Sequence, residues 1–267
     1  MTNLNEMFAT DATQFTQAEI DTALNQHYKM FSAKVSLAAK GKRHVLVNGK
    51  AGSAKTTTVM SVLKSNSNIN IKKVNGTCSA INLYSFLYEM RHKDSVLVID
   101  DTDALLKDSD CLDILRAALD SADSKTTVNY EKMSNALRQK DIPNNFVFNG
   151  TVVMISNMHI NVKNVKSDKE EAMLAVRNRC TYIKAGFEHD SWEIESIKFF
   201  HNNNAIMCFQ THSMSEKASQ EIIDFFVDNA ENFARISFRM LDACCVYYNE
   251  FNADADLWGE MMLSDYA

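Results

Sequence analysis

The chain has 267 residues, of which 46% are hydrophobic, and this length suffices for one substantial core and a smaller second one. Its 28 Lys and Arg against 34 Asp and Glu give a net charge of -6 without any run of like charge, which excludes a constitutive basic sleeve for nucleic acid but leaves room for a local basic patch. No apolar stretch approaches the thickness of a bilayer, and residues 1–13 lack the basic and apolar regions of a secretion signal. We therefore expect a soluble cytoplasmic protein with no membrane partner.

The cysteines are spread along the chain except for one adjacent pair, which cannot easily share one tetrahedral metal. This spacing favours reduced thiols over a zinc site or a disulfide framework. The six positions are Cys78, Cys111, Cys180, Cys208, Cys244 and Cys245.

A first helix is predicted after Thr16, because Thr16 and Glu19 have the spacing of a capping box and apolar residues then recur at helical intervals up to Gly41. Short apolar runs follow, separated by helical patterns, and they predict strands near 44–48, 69–74, 95–100, 151–156 and 181–184. Strands that alternate with helices predict an α/β fold with a parallel five-stranded sheet flanked by helices.

After about Asp190 the pattern is helical only, which predicts a small all-α lid subdomain. The expected domains are a lead-in helix and linker at 1–40, an α/β core at 41–188 and a lid at 189–267. The polar segment 124–145 is expected to leave the core, either as an ordinary insertion or as a hairpin that faces a partner or DNA. Its basic residues stand beside Tyr130 and are Lys125, Lys132, Arg138 and Lys140.

A phosphate-binding loop is predicted between the first strand and the next helix, because residues 49–56 match the Gly-x-x-x-x-Gly-Lys-Thr pattern except for Ala54. Backbone N–H groups and the helix N-terminus offer positive potential to phosphates. Lys55 adds a charge, and the Thr56 hydroxyl is a ligand for Mg²⁺. The predicted phosphate-contacting residues are Gly49, Lys50, Ala51, Gly52, Ser53, Ala54, Lys55, Thr56 and Thr57.

Acidic residues end the third predicted strand, where the carboxyl edge of a parallel sheet binds its ligands. We expect Asp100 to hold Mg²⁺ through water and Asp101 to polarise the attacking water. Glutamate is more usual at the position of Asp101, so hydrolysis is expected to be slow or to depend on assembly. Asp103 is expected to be a helix N-cap. Asn157 ends the neighbouring strand, and its amide is predicted to orient the water.

Four arginines are candidates for contact with nucleotide. Arg177 and Arg179 precede the last strand, where a guanidinium would stabilise γ-phosphate charge in a neighbouring subunit. Arg235 and Arg239 lie on one face of a lid helix, and one of them is expected to reach the nucleotide of its own subunit.

With these residues in order, the chain resembles the AAA+ ATPases from about Ile20 to Tyr248. Residues 49–56 resemble Walker A, 96–101 resemble Walker B, and 155–157 resemble sensor 1. Residues 178–180, Asn-Arg-Cys, are similar to the Ser-Arg-Cys arginine-finger motif of sliding-clamp loaders, which implies Arg179 as the finger and Arg177 as the alternative.

For sensor 2, different branches of the family imply different arginines of this chain. An Arg-Ile-x-x-Arg stretch in the bacterial Holliday-junction motor selects Arg235, whereas a Ser-x-Arg pattern in other branches selects Arg239, which we prefer.

Two departures from the usual motifs also occur in relatives. An alanine before the Walker A lysine occurs in MCM helicases, and a double aspartate in Walker B occurs in bacterial replication initiators. The chain is also similar to compact AAA+ ATPases from tailed phages, which would place it in host cytoplasm. The resemblance implies ATP and Mg²⁺ as cofactors, ATP hydrolysis, and a ring, most often a hexamer.

Three functions are consistent with the resemblance to AAA+ ATPases. They are a motor that remodels a DNA-metabolism complex of the replication type, a protein remodeller, and a slowly hydrolysing assembly switch. The first is favoured by the clamp-loader-like and replication-like details. A protein-threading pore would need an aromatic, an aliphatic residue and a glycine after the second strand, and no such triplet stands there. The nearby Tyr84, Phe86, Leu87 and Tyr88 are predicted to pack against the sheet. The target, DNA or a protein, is not encoded in any recognisable motif.

Overall fold

A computed structural model describes residues 4–120, 126–132, 135–158, 160, 165–251 and 255–266. The chain forms two compact units. The unit called here the sheet unit comprises Met30–Lys50 and Lys55–Ala185. The other, the helical unit, comprises the chain up to Lys29, Ala51–Ala54 and the chain from Gly186. The domain boundaries expected at residues 40 and 188 stay predictions.

In chain order the helices are α1 (Leu4–Ala9), α2 (Gln17–Ala39), α3 (Lys55–Lys64), α4 (Ala80–Glu89), α5 (Ser109–Ala118), α6 (Asn135–Gln139), α7 (Asp168–Asn178), α8 (Ser191–Asn202), α9 (Met207–Thr211), α10 (Glu216–Asp228), α11 (Phe238–Phe251) and α12 (Ala255–Tyr266). The strands are β1 (His44–Asn48), β2 (Asn70–Asn75), β3 (Ser95–Asp100), β4 (Thr126–Asn129), β5 (Asn145–Phe148), β6 (Thr151–Ser156) and β7 (Cys180–Lys184). Short 3-10 turns cover Ala12–Gln14, Leu105–Lys107 and Ala230–Asn232.

The sheet unit contains the predicted parallel five-stranded sheet, with the strand order β2-β3-β6-β1-β7. Strand β3 is buried on both faces because its side chains alternate between two hydrophobic clusters. Leu97 and Ile99 pack with α4 and α5, while Val96 and Val98 pack with α2 and α3. The continuous apolar run of the sequence therefore indicated a central strand correctly.

The described part of the segment 124–145 is less polar than expected, because Val128, Leu137 and Ile142 are buried. Strands β4 and β5 form an antiparallel pair in which Thr126 lies opposite Phe148 and Val128 opposite Phe146. Alternate residues point into the core, so that Val128, Phe146 and Phe148 are buried while Val147 is exposed. The interpretation as a polar excursion is thus wrong for one face of this hairpin, and residues 121–125, which include Lys125, lie outside the described part.

The helical unit has two apolar clusters. One gathers Phe8, Leu24, Phe187 and Trp192, and the Trp192 Nε1–H donates a hydrogen bond to the Thr10 carbonyl at 2.8 Å. The other fills the space among α8–α12. The purely helical region expected after Asp190 is confirmed, and the N-terminal residues that precede α2 add the short helix α1.

All six cysteines lie within the described residues and form no disulfide. No helix among the described residues is both long and apolar enough to cross a membrane. Tyr84 and Leu87 are fully buried, and the Tyr84 hydroxyl donates to the Pro143 carbonyl at 2.8 Å, which confirms that they belong to the core of the sheet unit.

Candidate functional site

Lys55 is the first residue of α3 and is only 7% exposed. Its ammonium donates to the carbonyls of Gly49 at 2.8 Å and Lys50 at 2.6 Å, and to Asn157 Oδ1 at 2.8 Å. Three acceptors compensate the burial of this charge, as buried polar groups require. The loop sequence and the end of β6 are thereby joined through one ammonium, at the carboxyl edge of the sheet.

Asp100, the last residue of β3, lies beside the second residue of α3. The Thr56 hydroxyl donates to Asp100 Oδ1 at 2.9 Å, and the Lys73 ammonium lies 2.8 Å from Asp100 Oδ2. Carboxylate and hydroxyl oxygens are ligands that Mg²⁺ prefers. The pair Thr56 and Asp100 predicted from sequence therefore comes together with the donor chemistry that such a cation needs. Thr57 follows in α3 and is exposed.

Asn157 connects the lysine to the second acid. Its Nδ2 donates to Asp101 Oδ1 at 3.3 Å while its Oδ1 accepts from Lys55, so the amide has a single consistent orientation. Asp101 is exposed and has a left-handed backbone with φ 55°. Gly76, at the end of β2, fits against it, since a Cβ there would lie 2.4 Å from the Asp101 carbonyl oxygen.

Asp103 has a different role from the one predicted. The N-cap of the turn Leu105–Lys107 is Ala104, without a side-chain hydrogen bond. Asp103 Oδ1 instead accepts from Ser156 Oγ at 2.6 Å and from the backbone N–H groups of Asn157 at 3.0 Å and Met158 at 3.3 Å. The carboxylate thus fixes the backbone that carries the Asn157 amide. The only sequence signal for this was a third acid after the same buried strand.

The loop backbone adopts the left-handed region at two positions, with φ 79° at Gly52 and φ 54° at Ala54. Ala54 therefore has the conformation for which a glycine is usual, at a cost of about 1–2 kcal/mol for an L-residue. Gly49 has a different constraint, because a Cβ there would lie 1.9 Å from the Ala185 carbonyl oxygen. Successive backbone N–H groups in such a turn form an anion-binding concavity.

Residues Ala51–Ala54 belong to the helical unit together with the two candidate sensor arginines. Arg235 Nη2 donates to the Ala51 carbonyl at 2.7 Å, and the Phe238 N–H donates to the Gly52 carbonyl at 3.1 Å. Arg239 is exposed at the second residue of α11, whereas Arg235 precedes this helix, so the expectation that both lie on one face of a lid helix is wrong. Arg235 is thus in contact with the loop, and the choice between Arg235 and Arg239 as the sensor stays a prediction, as does the role of Ser53.

Arg177 and Arg179 lie at the junction of α7 and β7. The Arg177 guanidinium is 4.2 Å from the centre of the Tyr182 ring. Arg179 donates to the Ala175 carbonyl at 3.1 Å, and its Nη2 lies 3.9 Å from Asp120 Oδ2. Arg179 comes just before β7, whose first residue pairs with the first residue of β1, whereas the phosphate loop follows the last residue of β1. The length of a strand, about 3.3 Å per residue, separates the two places.

The sequence was compared with family models and with curated proteins. No family model matches the chain. An uncharacterised 36.7 kDa protein from the nrdC-mobD intergenic region of Enterobacteria phage T4 is 26% identical over 226 residues, which are 83% of this chain and 68% of that protein.

Among solved structures, the Thermotoga maritima RuvB Holliday junction branch migration motor matches with a TM-score of 0.50 and 13% identity over 96% of this chain and 72% of that chain. Domain III of the Thermotoga maritima replication initiation protein DnaA matches with a TM-score of 0.54 and 11% identity over 90% of this chain and 92% of that chain. The chain thus shares the fold of these structures, a parallel sheet flanked by helices with a helical C-terminal region, which is the fold class expected from the sequence.

Proposed function

We propose that this chain binds ATP with Mg²⁺ and hydrolyses it. One observation carries the proposal: the carboxyl ends of β1, β3 and β6 bring together a buried lysine, a hydroxyl–carboxylate pair and an amide-linked second acid. These residues are Lys55, Thr56, Asp100, Asp101 and Asn157. The same kinds of residue in scattered surface positions would carry no such conclusion, but here hydrogen bonds link them into two adjoining groups.

Each residue has a distinct task in this proposal. When bound, Mg·ATP supplies the phosphoanhydride bond and a divalent charge on its phosphate oxygens. Lys55 would exchange its present acceptors for phosphate oxygens, and backbone N–H groups of the phosphate loop would add donors. Thr56 and Asp100 would hold the metal. Asp101 would accept a proton from the attacking water, and Asn157 would position that water from the neighbouring strand end.

The second part of the proposal is a ring, most often a hexamer in the AAA+ proteins that the chain resembles. Arg179, with Arg177 as the alternative, lies a strand length from the carboxyl end of β1, after which the phosphate loop begins. A head-to-tail assembly would bring this edge to the loop of the next subunit, where a guanidinium stabilises transition-state charge. Arg235 or Arg239 would act on the nucleotide of the same chain.

ATP turnover of the purified protein tests the enzymatic part, with light scattering to report assembly. We expect turnover in the wild type and a loss of about 100-fold or more in Lys55→Ala and Asp101→Asn, because each removes a charge that acts on the reacting phosphate. Lys64→Ala, at the other end of the same helix, is the matched control. Equal turnover in wild type and Lys55→Ala would refute the proposal.

A mixing experiment tests the ring. Lys55→Ala and Arg179→Ala are each expected to be inactive alone, since every interface lacks one partner. When the two are mixed equally, about a quarter of the interfaces of a head-to-tail ring join an intact loop to an intact arginine, so a similar fraction of turnover should return. If instead Arg179→Ala alone keeps its turnover, while Arg177→Ala is inactive alone and regains turnover on mixing with Lys55→Ala, Arg177 is the finger.

The target we propose is a DNA-metabolism complex of the replication type. The replication-like motif details support this, as does the likeness in fold to a branch migration motor and a replication initiation protein. Turnover that rises with single- or double-stranded DNA would agree with it. Turnover indifferent to DNA would favour a protein partner. ATP binding and assembly with almost no turnover would favour a switch, which the shorter Asp101 in place of glutamate permits.

A further inference from the structure

Lys73 and Lys72 are adjacent in β2 and have opposite surroundings. The register aligns Asn75 with Asp100, so Lys73 shares a face with the end of β3, and its ammonium lies 2.8 Å from Asp100 Oδ2. Lys72 points to the other face, where it pairs with Glu89 and lies 4.9 Å from the centre of the Phe86 ring. Only one of these two lysines therefore acts on the proposed site.

Both oxygens of the Asp100 carboxylate are engaged. Thr56 donates to Oδ1, and Lys73 neutralises Oδ2. The Asp100 side chain is 17% exposed, so its charge is partly withdrawn from water and an adjacent cation matters more than at an open surface. The Lys73 side chain is 44% exposed and can leave without an unpaired buried charge, because water solvates the released ammonium.

We propose that Lys73 is an internal counter-ion of the metal site: it occupies Asp100 when no nucleotide is bound and yields to Mg²⁺ when Mg·ATP arrives. This inference rests on the proposed role of Asp100 as a metal ligand. A divalent cation at Asp100 and an ammonium in contact with the same carboxylate repel each other, so Lys73 lowers the affinity of the empty site for metal. Only a metal that brings its own phosphate ligands displaces the lysine efficiently.

Metal affinity is the direct test. Mn²⁺, a paramagnetic substitute for Mg²⁺, is titrated into the nucleotide-free protein and the unbound ion is followed by electron paramagnetic resonance. Lys73→Met should lower the half-saturating Mn²⁺ concentration by about two- to fivefold, the upper part of the range for an exposed ion pair. Lys73→Arg should stay near the wild type because it keeps the charge. Lys72→Met, with the same change on the other face of β2, should also leave it unchanged.

Two results would overturn the inference. If Lys73→Met binds Mn²⁺ as the wild type does, the lysine does not compete with metal. If it binds Mn²⁺ more weakly, the ammonium supports the site instead of blocking it. Thermal unfolding of each variant verifies that the protein is folded, and Lys73→Gln provides a second neutral variant should Lys73→Met unfold.

A separate measurement distinguishes this inference from the proposed function. A fluorescent ATP analogue is titrated in the presence of a metal chelator, where Lys55→Ala should bind at least tenfold more weakly than the wild type. Unchanged binding by Lys55→Ala would sink the proposed nucleotide site, whatever the manganese data show. Weaker binding by Lys55→Ala, together with no manganese effect in Lys73→Met, would sink only the counter-ion role.

Discussion

His44 should make the stability of the sheet unit depend on pH. The backbone N–H of Val152 donates to His44 Nδ1 at 3.1 Å, so the ring is neutral and carries its proton on Nε2. Burial, with the nearby Arg43 as a smaller cause, lowers the pKa of His44 from its ordinary 6.5 to about 4. The unfolded chain therefore binds a proton in a pH range where the folded chain does not.

The linkage between protonation of His44 and folding gives the sign and the size of this pH dependence. Because the folded-state pKa is the lower one, the stabilisation is complete above pH 6.5 and is lost as the pH falls from 6.5 to 4. A shift of this size corresponds to about 3 kcal/mol in the free energy of unfolding. Asparagine at this position keeps an acceptor near Nδ1 but does not titrate, so His44→Asn should abolish the loss over this range.

Urea unfolding at half-unit steps between pH 7.5 and pH 4.5, at about room temperature, measures the effect. The wild type should lose up to about 1.4 kcal/mol per pH unit more than His44→Asn. His92→Asn, a change at an exposed histidine, is the control and should keep the slope of the wild type. Identical slopes for the wild type and His44→Asn would refute the reasoning.

Three other changes act on the site itself. Ala54→Gly should raise the free energy of unfolding by about 0.5–1 kcal/mol, because glycine adopts φ 54° without strain but gains entropy in the unfolded chain; a loss of stability in urea unfolding would contradict this. Asp103→Ala should lower stability by about 1–3 kcal/mol and reduce ATP turnover, since the N–H of Asn157 loses its acceptor; unaltered turnover would show that Asp103 does not position the amide. Arg235→Ala should weaken binding of the ATP analogue more than Arg239→Ala if the contact with Ala51 is functional, and the reverse order would select Arg239.

The sequence alone determined the sheet and the carriers of the chemistry. A strand buried on both faces has to be apolar throughout, so β3 was recognisable, and the position of the acid at the carboxyl edge of the sheet followed from it. The phosphate-loop pattern lies between β1 and α3, which is the local context that gives the pattern its meaning.

The hairpin of β4 and β5 was only partly predictable. Its strands have only four residues each, and their residue types do not alternate regularly between polar and apolar, so periodicity does not distinguish the hairpin from a loop. Whether such a segment packs depends on a partner strand and on the core beneath it. Both are remote in sequence.

Long-range contacts decided the rest. Nothing local to Lys73 distinguishes it from Lys72; the parallel register with β3 sends one ammonium to Asp100 and the other to Glu89. Asp103 had the local signal of a helix cap, but its carboxylate accepts three hydrogen bonds from the end of β6 and the two residues after it instead. Residue types and their order thus defined which chemistry the chain carries, whereas strand register, which joins residues far apart in sequence, decided which charges meet.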